Sequence, residues 1–262
     1  MLQRVITAIV GLLVFVPFVV YGDWPFVLFV MLMVSVGLYE VLRMKRVSLL
    51  SFPGILSLTL LWVIYIDQFL YSILSYIPLT FSEMVYVFIF ILLIYSVLVK
   101  NEFNFEDCAF TLLSVAYIGI GLAYFIETRL AGLEFILFAL LIIWLTDSGA
   151  YFFGKYLGKR KLWPEISPKK TVAGFVGGIF SALTIAVIFQ LIYPIHDQMF
   201  VIMLVAILAS ILAQIGDLVE SALKRTFKVK DSGTLLPGHG GVLDRFDSLI
   251  FMLPFLHFIQ FI

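Results

Sequence analysis

Apolar residues run along this chain in stretches of about 17 to 25, the length that carries a helix across the hydrocarbon core of a bilayer. Nine such stretches can be read, at 4–21, 25–43, 48–66, 84–99, 107–128, 133–154, 171–193, 199–224 and 246–262. They predict an all-α polytopic integral membrane protein with about nine transmembrane helices. The connections carry its orientation, because cytoplasmic loops retain Lys and Arg. With the N-terminus inside, the inner side receives Arg4, then Arg43, Lys45 and Arg46, then Lys100. It also receives Lys155, Lys159, Arg160, Lys161, Lys169 and Lys170, and finally Lys224, Arg225, Lys228, Lys230 and Arg245. That is 16 of the 17 basic residues, with Arg129 alone outside. The expected topology therefore has a cytoplasmic N-terminus and an outer C-terminus. The stretch 67–83, with Tyr71, Tyr76 and Pro78 and no basic residue, reads as an outer interfacial loop, in part re-entrant. A single Arg4 before the first apolar run, with no small-x-small site before Gly22-Asp23, reads as a span and not as a signal peptide.

Composition agrees with a chain that lives in lipid: 63% of residues are hydrophobic and 13% charged, against roughly 45–50% apolar and about 25% charged in globular proteins. The mean hydropathy is +1.12. A formal net charge of zero hides the concentration of charge in a few connections, and no nucleic-acid partner is expected. The lone Cys108 excludes an internal disulfide and a thiolate metal cluster, and reads as a small buried residue. Residues 1–130 form about five helices whose expected role is scaffold and lipid access. Residues 131–262 are expected to be the catalytic region, with cytoplasmic loops 155–170 and 226–245.

Chemistry concentrates in Gln214–Ser248, where acids, bases, a histidine and glycines interrupt an otherwise hydrocarbon sequence. Asp217, Glu220, Ser221 and Lys224 fall at i, i+3, i+4 and i+7, along one helix face. Acids inside an apolar helix are costly, and that separates this run from an ordinary solvated loop. Pro-Gly-His-Gly-Gly at 237–241 permits backbone conformations in which successive N–H groups converge on an anion. Asp244, Arg245 and Asp247 return charge before the last apolar run. Carboxylates hold hard divalent cations while Lys, Arg and backbone N–H groups hold phosphate oxygens, so the combination suits a metal-bound phosphate substrate.

The sixth span ends with Asp147, Ala150, Tyr151 and Gly154 on one face, a carboxylate among small residues that let a helix or ligand approach; a polar bridge between helices is the plainer reading. A basic loop then leads to an expected helix start at Thr171, where Ser167, Lys169, Lys170 and Thr171 would form an anion site. Taken alone, these bases read equally well as a topology signal. Glu40, three residues from Arg43, reads as half of a local ion pair, with a functional acid as the alternative.

Ser221, Lys224, Arg225, Lys230, Asp231, Pro237, Gly238, His239, Gly240, Gly241, Asp244, Arg245 and Asp247 resemble the signature of the phosphatidate cytidylyltransferase (CDP-diacylglycerol synthase) family. Ser167, Pro168, Lys170, Thr171, Gly174, Gly177 and Gly178 fit that family's S-P-x-K-T segment and the glycines after it, and Asp147 to Tyr151 also fit. Ala173 departs from it, standing where Glu or Gln is common. The resemblance covers residues 140–250 well and the first half in general character.

What the resemblance implies is a plasma-membrane nucleotidyltransferase of phospholipid biosynthesis, working at the cytoplasmic face. It would make CDP-diacylglycerol and pyrophosphate from CTP and phosphatidic acid, with Mg²⁺ and a second cation as candidate cofactors. Asp217, Lys224, Asp244 and Asp247 would carry catalysis. Asp217, Asp244 and Asp247 would hold metal, with Asp147 and Glu220 as further candidates. Ser167, Lys170, Thr171, Ser221, Arg225, Lys230, His239, Gly240, Gly241 and Arg245 would bind substrate. The lipid bilayer is an expected partner, and a homodimer a candidate assembly. Two other readings stay open on the residues: a CTP-dependent polyprenol kinase, and an ion- or proton-coupled transporter using Glu40, Asp147, Asp217 and Glu220 as a relay. Against transport stand the basic and glycine-rich loops and the missing internal repeat.

Overall fold

The computed structural model describes residues 2–70, 80–235, 238 and 240–262, and the backbone alone of residues 2–5 and 8. Among these, α-helices lie over all nine apolar stretches: α1 (Leu2–Tyr21), α2 (Asp23–Met44), α3 (Phe52–Tyr65), α4 (Phe81–Leu98), α5 (Phe105–Ala131), α6 (Leu133–Leu157), α7 (Val172–Ile192), α8 (Met199–Thr226) and α9 (Leu243–Phe258). A π-helical turn, Ile66–Leu70, extends α3. Seven of these helices, α2 to α8, are long and apolar enough to cross a membrane, α3 together with its π turn. Large apolar side chains such as Leu98, Ile192 and Phe200 stay exposed, as helix surfaces facing lipid require. The chain is an all-α polytopic membrane protein. Most of the outer loop read at 67–83 lies outside the described residues.

One departure from the all-helical expectation is a small hairpin. β1 (Lys161–Trp163) pairs antiparallel with β2 (Ser167–Thr171), with Lys161 opposite Thr171 and Trp163 opposite Ser167. Ser167 to Lys170 are therefore an extended strand, and the helix start read at Thr171 follows directly after them. Pro168 explains this locally: it removes a backbone donor and pushes Ser167 out of the helical region. Thr171 then caps α7, its Oγ1 accepting from the Gly174 amide at 3.0 Å.

The contacts divide the chain into two compact units, residues 1–126 with 231–243, and residues 127–230 with 244–262. In the first, Phe26, Leu38, Leu42, Ile118 and Phe125 form a fully buried core. Tyr65 donates to the Gly119 carbonyl at 2.7 Å, and the Trp62 indole to Ser35 Oγ at 2.9 Å. Lys45 pairs with Asp107 at 3.3 Å, and Cys108 is buried as read. The expected Glu40–Arg43 pair is absent. Arg43 lies over the Tyr39 ring, while Glu40 accepts hydrogen bonds from Ser232 Oγ and from the Val242 and Leu243 amides, each at 2.9 Å. Sequence distance hid this partner, 192 to 203 residues away.

In the second unit, α6 and α7 meet along small residues, so that backbones touch. A Cβ on Gly174 would lie 2.7 Å from the Ala150 carbonyl oxygen, and one on Gly149 would lie 2.8 Å from the Gly177 oxygen and strike Ser181. Thr146 donates to Ser210 on α8 at 2.9 Å, and Gln214 of α8 donates to the Phe175 carbonyl of α7 at 3.2 Å. α9 approaches α8 at Gly216, where a Cβ would meet the Asp247 carbonyl oxygen and come within 3.2 Å of Phe251.

Gly149→Ala should therefore destabilise the protein by about 1–3 kcal/mol, because the facing carbonyl oxygen belongs to a rigid backbone and cannot yield as a side chain can. Gly11→Ala, where a Cβ meets nothing within 4 Å, should be neutral or stabilising by up to about 1 kcal/mol through helix propensity. Melting curves in detergent of the two variants beside the wild type check the opposite signs.

Candidate active site

The helical spacing on α8 does what the sequence proposes. Ser221 Oγ donates to Asp217 Oδ1 at 3.3 Å, and one turn on Lys224 Nζ reaches Glu220 Oε2 at 2.5 Å. The same ammonium reaches Asp244 Oδ1 on α9 at 2.5 Å. All three side chains are nearly out of solvent, at 11% exposed for Lys224, 1% for Glu220 and 8% for Asp244. One cation thus serves two buried acids. Among the described residues, the second oxygen of Glu220 is buried with no hydrogen-bond partner. Asp247, one turn beyond Asp244, is also buried and accepts from the Ser248 amide at 2.6 Å. It lies within electrostatic reach of Asp217, Asp147 and Lys224.

Asp217 turns to a different cation. Lys170, at the end of β2, meets its Oδ2 at 2.6 Å. The partner of Asp217 is thus a lysine from the hairpin, while Lys224, two turns along α8, pairs with Glu220 and Asp244. Both groups keep contact with water, at 25% and 35% exposed, and both line a cavity of about 390 Å³ within the second unit. The face read on α6, Asp147, Ala150, Tyr151 and Gly154, forms one wall of it, and Lys155, Lys169 and Thr171 add basic and hydroxyl groups. Asp147 lines this cavity and feels the charges of Asp217, Lys170 and Arg245.

The structure thus gathers Asp147, Lys170, Thr171, Asp217, Glu220, Ser221, Lys224, Asp244, Arg245 and Asp247 into one unit. Others stand elsewhere. Arg225 is exposed and donates to the Ile166 carbonyl at 3.2 Å, tying α8 to the hairpin. Ser167 faces Trp163 in the hairpin, and Lys230 is exposed at the unit's edge. Gly240, with φ 86°, and Gly241 belong to the other unit. His239 and Pro237 lie outside the described residues. Gln214 and Lys155 line the cavity and were not singled out from sequence. A glutamine inside an apolar helix was the available signal for the first.

The donor chemistry suits a hard cation: five carboxylates, one of them with a buried, unpartnered oxygen. In this conformation Lys170 and Lys224 lie against Asp217, Glu220 and Asp244. Among the described residues no three His, Cys, Asp or Glu side chains are gathered closely enough to hold an ion.

Residues 2–262 match the model of the cytidylyltransferase family. The chain belongs to that family. It is 48% identical over 262 residues to the phosphatidate cytidylyltransferase of Bacillus subtilis (strain 168), covering 99% of this chain and 97% of that one. It is 48% identical over 254 residues to the protein of the same name from Staphylococcus epidermidis (strain ATCC 12228 / FDA PCI 1200), and 45% identical over 254 residues to that of Staphylococcus aureus (strain COL), each match covering 97% of this chain and 96% of the relative. As a cytidylyltransferase the chain is a nucleotidyltransferase, and the gathered acids and bases are its candidate centre.

Within this cytidylyltransferase the two lysines differ in burial, and so in consequence. Lys224→Met should destabilise by about 3–5 kcal/mol, because it removes the ammonium that two buried carboxylates share. Lys170→Met should cost no more than about 1 kcal/mol, since its pair is partly solvated. Chemical or thermal unfolding in one detergent compares the two directly, and equal losses would contradict the assignment of Lys224 as the structural counter-ion.

Proposed function

We propose that this protein transfers the cytidylyl group of CTP to the phosphate of phosphatidic acid, forming CDP-diacylglycerol and releasing pyrophosphate. The observation that carries the reading is the cavity walled by Asp147, Asp217, Lys169 and Lys170, which sets acids and bases side by side in a membrane protein. The names of the relatives supply the substrates. An oxygen of the phosphatidate phosphate attacks the α-phosphorus of CTP, one P–O bond forms, and the α–β anhydride bond breaks. No side-chain nucleophile is needed, because a phosphate monoester with a second pKa near 6 is already largely an oxyanion at neutral pH.

The residues then have positional and electrostatic tasks. Lys170 and Lys169, on the hairpin strand, draw phosphate oxygens to the cavity. Arg245, exposed and charged, adds to the positive field there. Lys224, fixed between Glu220 and Asp244, neutralises buried charge and holds α8 to α9. Asp217, Asp244 and Asp247 are the proposed holders of Mg²⁺, with Asp147 and Glu220 as further ligands or as the site of a second cation. The bound ion supplies charge neutralisation at the phosphates.

The reading extends to placement. Nine spans with the N-terminus inside and the C-terminus outside put the hairpin and the 226–245 loop at the cytoplasmic face of the plasma membrane, supported by the distribution of basic residues. Residues 1–130 then serve as scaffold and lipid access. In a Cys108→Ser background, a cysteine at Asp197 should react with an impermeant thiol reagent on intact cells and one at Glu165 should not. The reverse labelling would overturn the orientation.

The activity is tested with purified protein, CTP, Mg²⁺ and phosphatidate, each omitted in turn, and with a polyprenol in place of phosphatidate. CDP-lipid should form only with all three, and phosphorylation of the polyprenol would change the acceptor. Asp217→Asn and Asp244→Asn should each lower turnover at least about a hundredfold while keeping a native-like melting curve, because Asn preserves shape and removes charge. Near-wild-type turnover of either variant across a Mg²⁺ titration would remove that carboxylate from the ligand set.

A further inference from the structure

Glu40 is a carboxylate far from the acids discussed above in sequence, 2% exposed, and committed to one segment of the chain. Its Oε2 accepts from Ser232 Oγ and the Leu243 amide, and its Oε1 accepts from the Val242 amide, all at 2.9 Å. Glycines 233 and 241 press against the same carboxylate, and a Cβ on either would collide with its oxygens. Both ends of the 232–243 stretch are thus tied to a single side chain within the first unit. Ser232 is also buried, so these donors have no water to turn to.

Val242 and Leu243 are the residue before α9 and its first residue. Their amides are the orphan donors of a helix start, normally satisfied by a local Ser, Thr or Asp side chain. Here the cap comes from α2, about 200 residues earlier. A carboxylate at this position is also favoured by the positive end of the helix dipole. Leu243 is bonded to Asp244, and each helical residue advances by a fixed rise and turn. Fixing the first residue of α9 therefore fixes the phase at which Asp244, Arg245 and Asp247 leave it.

We propose that Glu40 is a positioning residue of the cytidylyltransferase reaction: a cap supplied from outside the helix that sets the register of α9 and hence the direction of Asp244 and Asp247. The inference rests on the reading of these two acids as Mg²⁺ holders. Glu40 touches no substrate and acts through the helix it caps.

The test uses the full chain in detergent with three variants. Glu40→Gln keeps the size but sets an amide N–H₂ against backbone donors. Glu40→Asp keeps both acceptor oxygens, and Gly233→Ala leaves Glu40 in place and crowds it. Glu40→Gln should lower kcat by roughly ten- to a hundredfold and raise the Mg²⁺ concentration for half-maximal rate, as supporting partners of metal ligands do. Glu40→Asp should recover part of both, and Gly233→Ala should shift both in the direction of Glu40→Gln. In metal-free protein, amide hydrogen exchange at 242–247 should accelerate in Glu40→Gln while that of α2 stays unchanged. If the folded fraction of Glu40→Gln keeps wild-type kcat and Mg²⁺ dependence, Glu40 only stabilises the fold and the proposal fails. If Glu40→Gln does not accumulate, Gly233→Ala decides, and wild-type kinetics in it overturn the proposal. If the wild type itself makes no CDP-lipid, the functional reading fails; unchanged exchange at Val242 and Leu243 would then overturn the cap as well, and faster exchange would uphold it.

Discussion

A charge held between helices in a bilayer protein has no water to fall back on, so its partner must come from the protein. In the second unit that constraint is met by Lys224. Its single ammonium joins Glu220 on its own helix to Asp244 on the next, at 2.5 Å each. The i, i+4 spacing puts Glu220 in reach before any tertiary structure forms. The contact with Asp244 needs α9 to lie against α8, and Gly216 permits that approach. Two acids share one base, and among the described residues one buried Glu220 oxygen has no hydrogen-bond partner. An arrangement of that kind is poor as a stabilising device, since buried pairs seldom outdo apolar packing.

Small residues decide where this chemistry opens to water. α6 and α7 pack so closely at Gly149, Gly174 and Gly177 that side chains of ordinary size cannot enter. At the hairpin end α6 bears Asp147, Tyr151 and Gly154, Thr171 stands just before α7, and these residues line the cavity with Gln214 and Asp217 of α8. Thr171 contributes twice. Its hydroxyl caps α7, and as the last residue of β2 it follows Lys170, which meets Asp217.

How much of this was legible in the sequence depended on the range of the interactions. Every apolar stretch holds a helix, because burial in lipid and 3.6-residue geometry act locally. The face Asp217, Glu220, Ser221, Lys224 and the small face of α6 were readable for the same reason. The partner of Asp217 was not, because Lys170 arrives from a hairpin whose register depends on Pro168 and on pairing with β1. Glu40 was misread for a related reason. A basic residue three positions away suggests a local pair, but Arg43 lies over Tyr39 and the carboxylate binds backbone amides more than 200 residues on. No periodicity records such a contact. Gln214 carried a signal, a polar side chain within an apolar helix, yet its contact with the Phe175 carbonyl belongs to the packing of α7 on α8.

The two lysines of the second unit also divide the labour between buried and screened charge. Lys170 and Asp217 remain 25% and 35% exposed, so their attraction is screened and a pair of this kind contributes on the order of 1 kcal/mol or less. Breaking such a pair costs little, and both of its side chains line the cavity. Lys224, 11% exposed between two acids, is held differently, because withdrawing it would take from two buried carboxylates an ammonium they share. A screened pair thus lines the cavity, while a buried one joins α8 to α9. The difference follows from burial alone, and it gives identical side chains, 54 residues apart by their numbers 170 and 224, opposite roles.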